Sequence, residues 1–136
     1  MSQNLAAPAV AGWPRMLLRL EGLALLALTL VVYYRLGASW WLFFAVVLAP
    51  DLSFAGYLAG DRVGAIVYNA AHTLIGPFAL AIAGLTLPWF LAVELALIWT
   101  AHIGVDRAIG FGLKYETGFH LTHLGRIGRP PSRDQA

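Results

Sequence analysis

The stretch "LPWFLAVELALIWTAHIGVDRAI" (residues 87–109) decides the fold class of this chain. A helix needs about 20 mostly apolar residues to cross the roughly 30 Å of hydrocarbon in a bilayer, and this stretch is long enough. Near its end, however, it carries His102, Asp106 and Arg107 where a simple membrane span would carry leucine or valine. The stretch therefore predicts a membrane helix with a polar site near one end.

Three earlier apolar runs have a similar length, at residues 16–36, 40–59 and 63–85. Of the 136 residues, 60% are hydrophobic and 12% are charged, whereas a soluble domain carries about 25% charged residues. The joints between the runs are as short as "GAS", "GDR" and "TLP", and such joints connect antiparallel neighbours. Since lipid offers no hydrogen-bond partners to open strands, we predict an all-α membrane protein with four antiparallel transmembrane helices, up-down-up-down.

The distribution of charge predicts how the chain is oriented. Eight of the nine Lys and Arg residues fall on the side of the membrane that also holds both chain termini, and only Arg35 falls opposite. By the positive-inside rule, both ends are expected in the cytoplasm, with a multi-pass chain in the inner (plasma) membrane. We predict a single domain over residues 1–136, with flexible polar tails at 1–12 and 126–136.

Composition excludes several classes of function. The chain has no cysteine, so disulfides, zinc-thiolate sites and thiol catalysis are excluded. Its basic residues are scattered over the ends of the apolar runs and form no stripe, which argues against a nucleic-acid partner. The lipid bilayer is therefore the expected partner.

Polar side chains from all four runs are expected at a similar depth, in the half of the bilayer nearer the termini. At 1.5 Å of rise per residue they lie roughly 5 to 15 Å from that end. They are Glu21, Asp51, Asn69, His72, His102 and Asp106. A charged group at this depth costs roughly 2.5–3.5 kcal/mol, so such groups should face the interior and find partners. Two prolines beside this layer, Pro50 and Pro77, predict helix kinks.

Three interpretations of this layer stay open. One is a buried structural network of hydrogen bonds and ion pairs. A second is a divalent metal ion as cofactor, with Asp51, His72, His102 and Asp106 as ligands, because imidazole and carboxylate are the ligands such ions prefer. A third is metal-free acid/base catalysis by the same four residues, with His123 as a further catalytic candidate. No compact motif selects among them.

The residues around this layer suggest how a substrate would be held. Arg107 and Lys114 are candidates for binding an anionic head group at the interface. The remaining substrate-binding candidates are Asn69, Glu21 and Tyr115. The segment that follows residue 109 is amphipathic and is expected to lie at the interface, below the bundle, where His120 and His123 could add to the site.

Three classes of function follow from these features. The first is a metal-dependent or acid/base enzyme that acts on a small or lipid-soluble substrate, such as an anionic lipid. The second is a proton-coupled transporter or channel that works as a homo-oligomer, with Glu94 on a path across the membrane. The third is a structural or assembly subunit with a purely structural polar network.

Five blocks of this sequence resemble a known family. They are "RLEG" (19–22), "APD" (49–51), "YNAAHT" (68–73), "AHIGVDRAIGFGLKY" (101–115) and "THLGRIGR" (122–129). Together they resemble the small bacterial integral membrane proteins catalogued as domain of unknown function 4260. The resemblance implies a four-span architecture and singles out the same polar blocks, but it implies no reaction. The chain departs from the family pattern at Phe111, where a tyrosine is expected.

Overall fold

The computed structural model describes residues 9–128 and is mostly helical. Five α-helices, one 3-10 segment and one two-stranded hairpin follow in chain order. They are α1 (Gly12–Arg35), α2 (Trp40–Val46), the 3-10 segment (Ala49–Ala59), α3 (Asp61–His72), α4 (Ile75–Thr86), α5 (Phe90–Ile109), β1 (Leu121–Thr122) and β2 (Gly125–Arg126). Of the two predicted tails, residues 1–8 and 129–136 lie outside the described residues.

Three helical units are long and apolar enough to cross a membrane, which indicates a membrane protein. They are Gly12–Arg35, Trp40–Ala59 and Asp61–Thr86. Their outward faces carry large apolar side chains, such as Leu58 at 93% and Leu52 at 78% exposure. Such surface is expected where lipid covers the protein. Helix α5 is also 20 residues long, but it carries Glu94, Asp106 and Arg107 and is the most buried helix of the bundle.

Helix α5 is the centre of the bundle, since α1, α4, α2 and the 3-10 segment all pack against it. Its contact with α1 is close because glycines occupy both surfaces. A Cβ atom on Gly22 would collide with the Cβ of Arg107, and one on Gly104 would lie 3.0 Å from the backbone nitrogen of Leu26. Small residues of this kind let two membrane helices approach closely.

Two prolines interrupt the helical units where a kink is predicted from the sequence. A proline ring clashes with the carbonyl four residues earlier and removes one backbone donor. Accordingly, α2 ends at Val46, four residues before Pro50. In the same way, α3 ends at His72, and the C-cap Thr73 lies four residues before Pro77. The interruptions are complete helix breaks, and each lies directly beside a polar residue of the predicted site.

The second helical unit, Trp40–Ala59, continues after its break as a 3-10 segment. This conformation places every third residue of the segment opposite a residue of α3. Three residues of a 3-10 helix rise about 6 Å, as do four residues of an α-helix. Residues 51, 54 and 57 therefore face residues 72, 68 and 64 at matching heights. Asp51 lies 3.3 Å from His72, the ring of Phe54 lies 5.2 Å from that of Tyr68, and Tyr57 packs on Gly64.

The segment after α5 folds under the bundle and contributes to its interior. Its short hairpin pairs Leu121 with Arg126 and Thr122 with Gly125. Leu124 is fully buried, and Lys114 is 4% exposed. The backbone N–H of Val10 donates to the carbonyl of His123 at 2.8 Å. The segment is thus attached to the start of α1, and it buries Leu124 while Phe111 and Phe119 stay exposed.

Candidate metal centre

Four side chains from three helical units meet in one compact cluster, which we call the His–Asp cluster. It consists of Asp51, His72, His102 and Asp106. The two histidine Nε2 atoms lie 3.2 Å apart. Each of these nitrogens also lies 3.3 to 3.5 Å from an oxygen of Asp51 and from an oxygen of Asp106. One ligand atom from each residue therefore lies within 4.8 Å of the other three.

The helix breaks help to place these side chains. Asp51 immediately follows Pro50 in the first turn of the 3-10 segment, and His72 is the last residue of α3. His102 and Asp106 lie one turn apart on α5, as their spacing of four residues predicts. The cluster is mostly enclosed: the side chains of His72 and His102 are 3% and 5% exposed, that of Asp106 is 15% exposed, and that of Asp51 is 38% exposed. Access to the cluster is therefore on the side of Asp51.

A backbone carbonyl occupies the outer ring nitrogen of His72. Nδ1 of His72 donates to the carbonyl of Tyr68 at 2.8 Å, and the Tyr68 ring stacks on the imidazole at 3.7 Å between centroids. The backbone of Val47 lies near the ring of His102, whose Nε2 faces the cluster. A neutral histidine that donates through Nδ1 has a lone pair on Nε2. His72 then presents a lone pair to the other three members of the cluster.

Positive charge between the two carboxylates would stabilise this arrangement. A metal-binding histidine typically donates its second ring N–H to a backbone carbonyl or carboxylate, as His72 does here. A regular tetrahedron of ligands at about 2.0–2.1 Å from a zinc ion has edges of about 3.3–3.4 Å. Five of the six edges of the cluster measure between 3.2 and 3.5 Å. The cluster therefore has the ligand types and the size of a tetrahedral divalent-metal site.

Helix α5 also satisfies the carbonyls that the break after His72 leaves without helical partners. Nε1 of Trp99 donates to the carbonyl of Ala71 at 2.6 Å, and Nη2 of Arg107 donates to the carbonyl of His72 at 3.0 Å. Unpaired carbonyls would be costly at this depth. These two bonds thus hold the end of α3, and with it His72, against α5.

Comparison with known proteins places this site within a family. The sequence profile of the domain of unknown function DUF4260 matches residues 15–127, a range that includes all four residues of the His–Asp cluster. The chain belongs to the DUF4260 family. No curated protein and no solved structure matches the chain.

Two predicted substrate-binding residues of this DUF4260 chain are bound to each other instead of lining the cluster. The side-chain Nδ2 of Asn69 donates to the carbonyl of Lys114 at 2.8 Å, and Oδ1 of Asn69 accepts from the backbone N–H of Lys114 at 2.7 Å. Asn69 therefore attaches the C-terminal segment to α3, and both the nitrogen and the oxygen of its side-chain amide are hydrogen-bonded.

The amine of Lys114 lies in a cage of aromatic rings. Its Nζ lies 3.2 Å from the ring centre of Phe119 and 4.8 to 5.6 Å from three others, and it donates to the carbonyl of Phe119 at 3.1 Å. The other three rings belong to Phe54, Tyr57 and Tyr68. Burial lowers the pKa of Lys114 to about 8, against the opposite effect of Asp106.

Three more predicted residues meet in a second cavity, on the side of α5 that faces α1. Glu21, Arg107 and His123 line a cavity of about 300 Å³ between α1, α5 and the C-terminal segment. Nδ1 of His123 accepts from the backbone N–H of Leu113 at 2.9 Å. Burial, and then the charge of Arg107, lower the pKa of His123. Glu21 and His123 are therefore separate from the four-residue site.

The last predicted residues lie elsewhere. The backbone N–H of Tyr115 donates to the carbonyl of Leu121 at 2.9 Å, and His120 is exposed. Glu94 is buried two turns before His102 on α5, close enough to Tyr33 to interact with it electrostatically. Sequence reasoning missed Tyr68, which stacks on His72. The signal that could have found it is its spacing of four residues from that histidine.

Proposed function

We propose that this chain is an integral membrane metalloprotein whose His–Asp cluster binds one divalent ion of the zinc class. The observation that supports this most is the meeting of two imidazoles and two carboxylates within 4.8 Å of one another, with Nδ1 of His72 already bound to a backbone carbonyl. Protonation of both histidines would supply positive charge, but it would place two cations with nitrogens 3.2 Å apart. A single divalent ion neutralises both carboxylates without that repulsion.

We further propose that the ion serves an enzyme that acts on a lipid-soluble substrate. Zinc sites with four protein ligands are closed, whereas catalytic sites keep or gain a position for water or substrate. Asp51 is the most exposed of the four ligands, so its side is where an additional ligand can approach. A bound ion there would polarise a carbonyl or phosphoryl oxygen, or lower the pKa of a bound water.

The same proposal includes four membrane crossings with both ends in the cytoplasm. Helix α5 is long enough to be the fourth span, and its charged groups face the interior of the bundle, as intramembrane charges should. The excess of Lys and Arg on the side of the termini supports the orientation. The cluster then lies in the cytoplasmic half of the bilayer.

Metal analysis of the full chain, purified in detergent, tests the metal site. We expect about one divalent ion per chain by mass spectrometry, with nitrogen and oxygen ligands at about 2.0–2.1 Å by X-ray absorption. Replacement of His72 or His102 by alanine should weaken zinc binding on the order of 100-fold or more, because even outer-shell changes cost about 10- to 100-fold. Asp51→Asn and Asp106→Asn remove a charge with little change of shape and should also weaken binding.

The exposed His120 offers a matched control, because it is a histidine of the same chain that lies outside the cluster. His120→Ala should bind zinc as the wild type does. If the wild type binds no divalent ion even after titration with zinc chloride, the cluster is a structural network and the metalloprotein proposal is wrong. Elution volume and helix content of each variant show whether it folds.

A further inference from the structure

An apolar cavity of about 380 Å³ lies directly beside the His–Asp cluster. Its walls include Pro50 and Ala71, which are the chain neighbours of the ligands Asp51 and His72. Trp99 of α5, one turn before His102, forms another part of the wall. This volume falls within the range of about 300 to 1,000 Å³ that is typical of small-molecule sites.

Most of the cavity lies on one side of the cluster. On α5, the lining residue Leu95 precedes His102 by seven residues, or about 10 Å of helix. Val46 precedes Asp51, and Leu80 follows His72. Neighbouring units run antiparallel. Each of these three lining residues is therefore farther than its ligand from the end of the bundle that holds the C-terminal segment. In the proposed orientation, the cavity therefore extends from the cluster toward the centre of the bilayer.

One polar atom in the cavity wall has no hydrogen-bond partner within residues 9–128. It is the hydroxyl oxygen of Ser53, which is buried and lies two residues after Asp51. A buried hydroxyl without a partner is costly and needs an explanation. The other cavity-lining side chains cannot accept a hydrogen bond from it, since they are aliphatic or, in Trp99, a donor.

We propose that this cavity binds the single hydrocarbon chain of a lipid-soluble substrate, with Ser53 donating a hydrogen bond to an acceptor oxygen of its head group. The chain points to the bilayer centre, and the head group lies beside the His–Asp cluster. A fatty-acyl ester has the required chemistry, one apolar chain and a carbonyl oxygen. This inference rests on the proposed function and names its substrate class.

Photolabelling of the full chain in lipid nanodiscs tests the inference. The probe is a hexadecanoyl monoacylglycerol with a diazirine in its acyl chain, and adducts are mapped by peptide mass spectrometry. We expect labelling concentrated on the peptides that hold Ala71, Leu80 and Leu95. Ser53→Ala should lower it by about 3- to 10-fold, the size of one lost hydrogen bond.

The 3-10 segment supplies a matched pair of variants. Ala49 and Ala55 are both exposed alanines of this segment, but only Ala49 lines the cavity. Ala49→Phe should fill the cavity and abolish the concentrated labelling, whereas Ala55→Phe should leave it unchanged. Retention of bound zinc in every variant shows that each still folds.

The outcomes separate the two proposals. Adducts spread evenly over the lipid-facing helices, or labelling that neither Ser53→Ala nor Ala49→Phe reduces, would overturn the inference even when zinc is bound. A wild type that binds no zinc would overturn the proposed function, whatever the labelling shows. Zinc binding together with labelling that depends on Ser53 and Ala49 supports both.

Discussion

Both ring nitrogens of His72 have a partner. One binds the backbone of α3, and the other faces the carboxylates of the cluster. Nδ1 is fixed by its bond to the Tyr68 carbonyl, and the stacked tyrosine ring fixes the plane of the imidazole. Nε2 is thereby aimed at both carboxylates. Its own carbonyl accepts from Arg107, so the residue is held from three directions before any ion binds.

At the same scale, Asn69 gives a prediction about stability that leaves the metal site intact. Asn69→Asp keeps the shape but replaces the Nδ2 donor with an oxygen that faces the Lys114 carbonyl. We expect the free energy of unfolding to fall by about 1–3 kcal/mol, because a buried acceptor loses its partner. Chemical denaturation in detergent measures this, and zinc stoichiometry should not change.

The control for this prediction also exchanges a carboxylate and an amide, but at an exposed position. Glu116 pairs with Arg62 at 3.3 Å, and these side chains are 55% and 79% exposed. Glu116→Gln should change stability by less than about 1 kcal/mol, as is typical of surface ion pairs. Equal effects of the two variants would show that the Asn69 pairing does not stabilise the fold.

The four members of the cluster could be predicted from the sequence, whereas the roles of Asn69 and Lys114 could not. Charged and imidazole side chains inside long apolar runs are costly, so the sequence predicts that they meet, although Glu21, predicted for the same layer, lies outside the cluster. The partners of Asn69 and Lys114 depend instead on the path of an irregular segment, which has no periodic pattern.

At the scale of the elements, the 3-10 segment decides whether Asp51 reaches the cluster. A 3-10 helix turns about 120° per residue and an α-helix about 100°. Over the six residues from Asp51 to Tyr57 the two conformations would therefore differ by about 120°. Only the 3-10 form lets Asp51, Phe54 and Tyr57 all face α3, and Pro50 removes the competing α-helix by breaking it at Val46.

Replacement of Pro50 should therefore weaken metal binding without touching a ligand. Pro50→Ala restores a backbone donor and removes the clash, so residues 40–59 can continue as one α-helix that turns Asp51 away from His72. We expect zinc affinity to fall by about 10- to 100-fold, as for other changes that disturb ligand orientation. Isothermal titration with zinc measures the change.

Pro14 offers the control, because it lies in the first turn of α1, where a proline displaces no helical bond. Pro14→Ala should bind zinc with the affinity of the wild type. If Pro50→Ala does so as well, the 3-10 conformation does not depend on this proline.

Sequence patterns predicted the helical units better than their internal conformation. The apolar runs at 16–36, 40–59 and 63–85 each correspond to a helical unit in the structure, because hydrocarbon thickness fixes their length. The sequence of an apolar run, however, does not distinguish an α-helix from a 3-10 helix. The prolines marked the breaks, but the register with α3 arises only from the packing of two units.

At the scale of the whole molecule, the C-terminal segment joins all the parts that form the site. It is held to α3 by Asn69, to the start of α1 through Val10, and to the 3-10 segment through the aromatic cage of Lys114. Lys114 is the only lysine of the chain. The free energy cost of burying its charged amine therefore changes the stability with which the segment is held.

The pKa of Lys114 predicts how stability changes with pH. Burial holds this pKa at about 8 instead of its ordinary 10.5, so the unfolded chain binds more protons than the folded chain between these two pH values. Stability should therefore rise with pH across that window. In detergent, the melting temperature of the wild type should rise by a few degrees between pH 8 and pH 10.5.

Lys114→Met isolates this effect, because it keeps an unbranched side chain and removes the titrating amine. The melting temperature of the variant should lack the wild-type rise, and the difference between the two proteins should follow a single ionisation. A parallel pH dependence in both proteins would contradict the assignment to Lys114.

The central position of α5 also has a consequence for biogenesis. This helix carries Glu94, Asp106 and Arg107 and is the least suited of the four units to partition into lipid by itself. It also leaves the ribosome after the other three units. In the proposed four-span topology, α1 to α4 are therefore already in place to shelter its charges when it inserts, so the order of synthesis favours correct assembly.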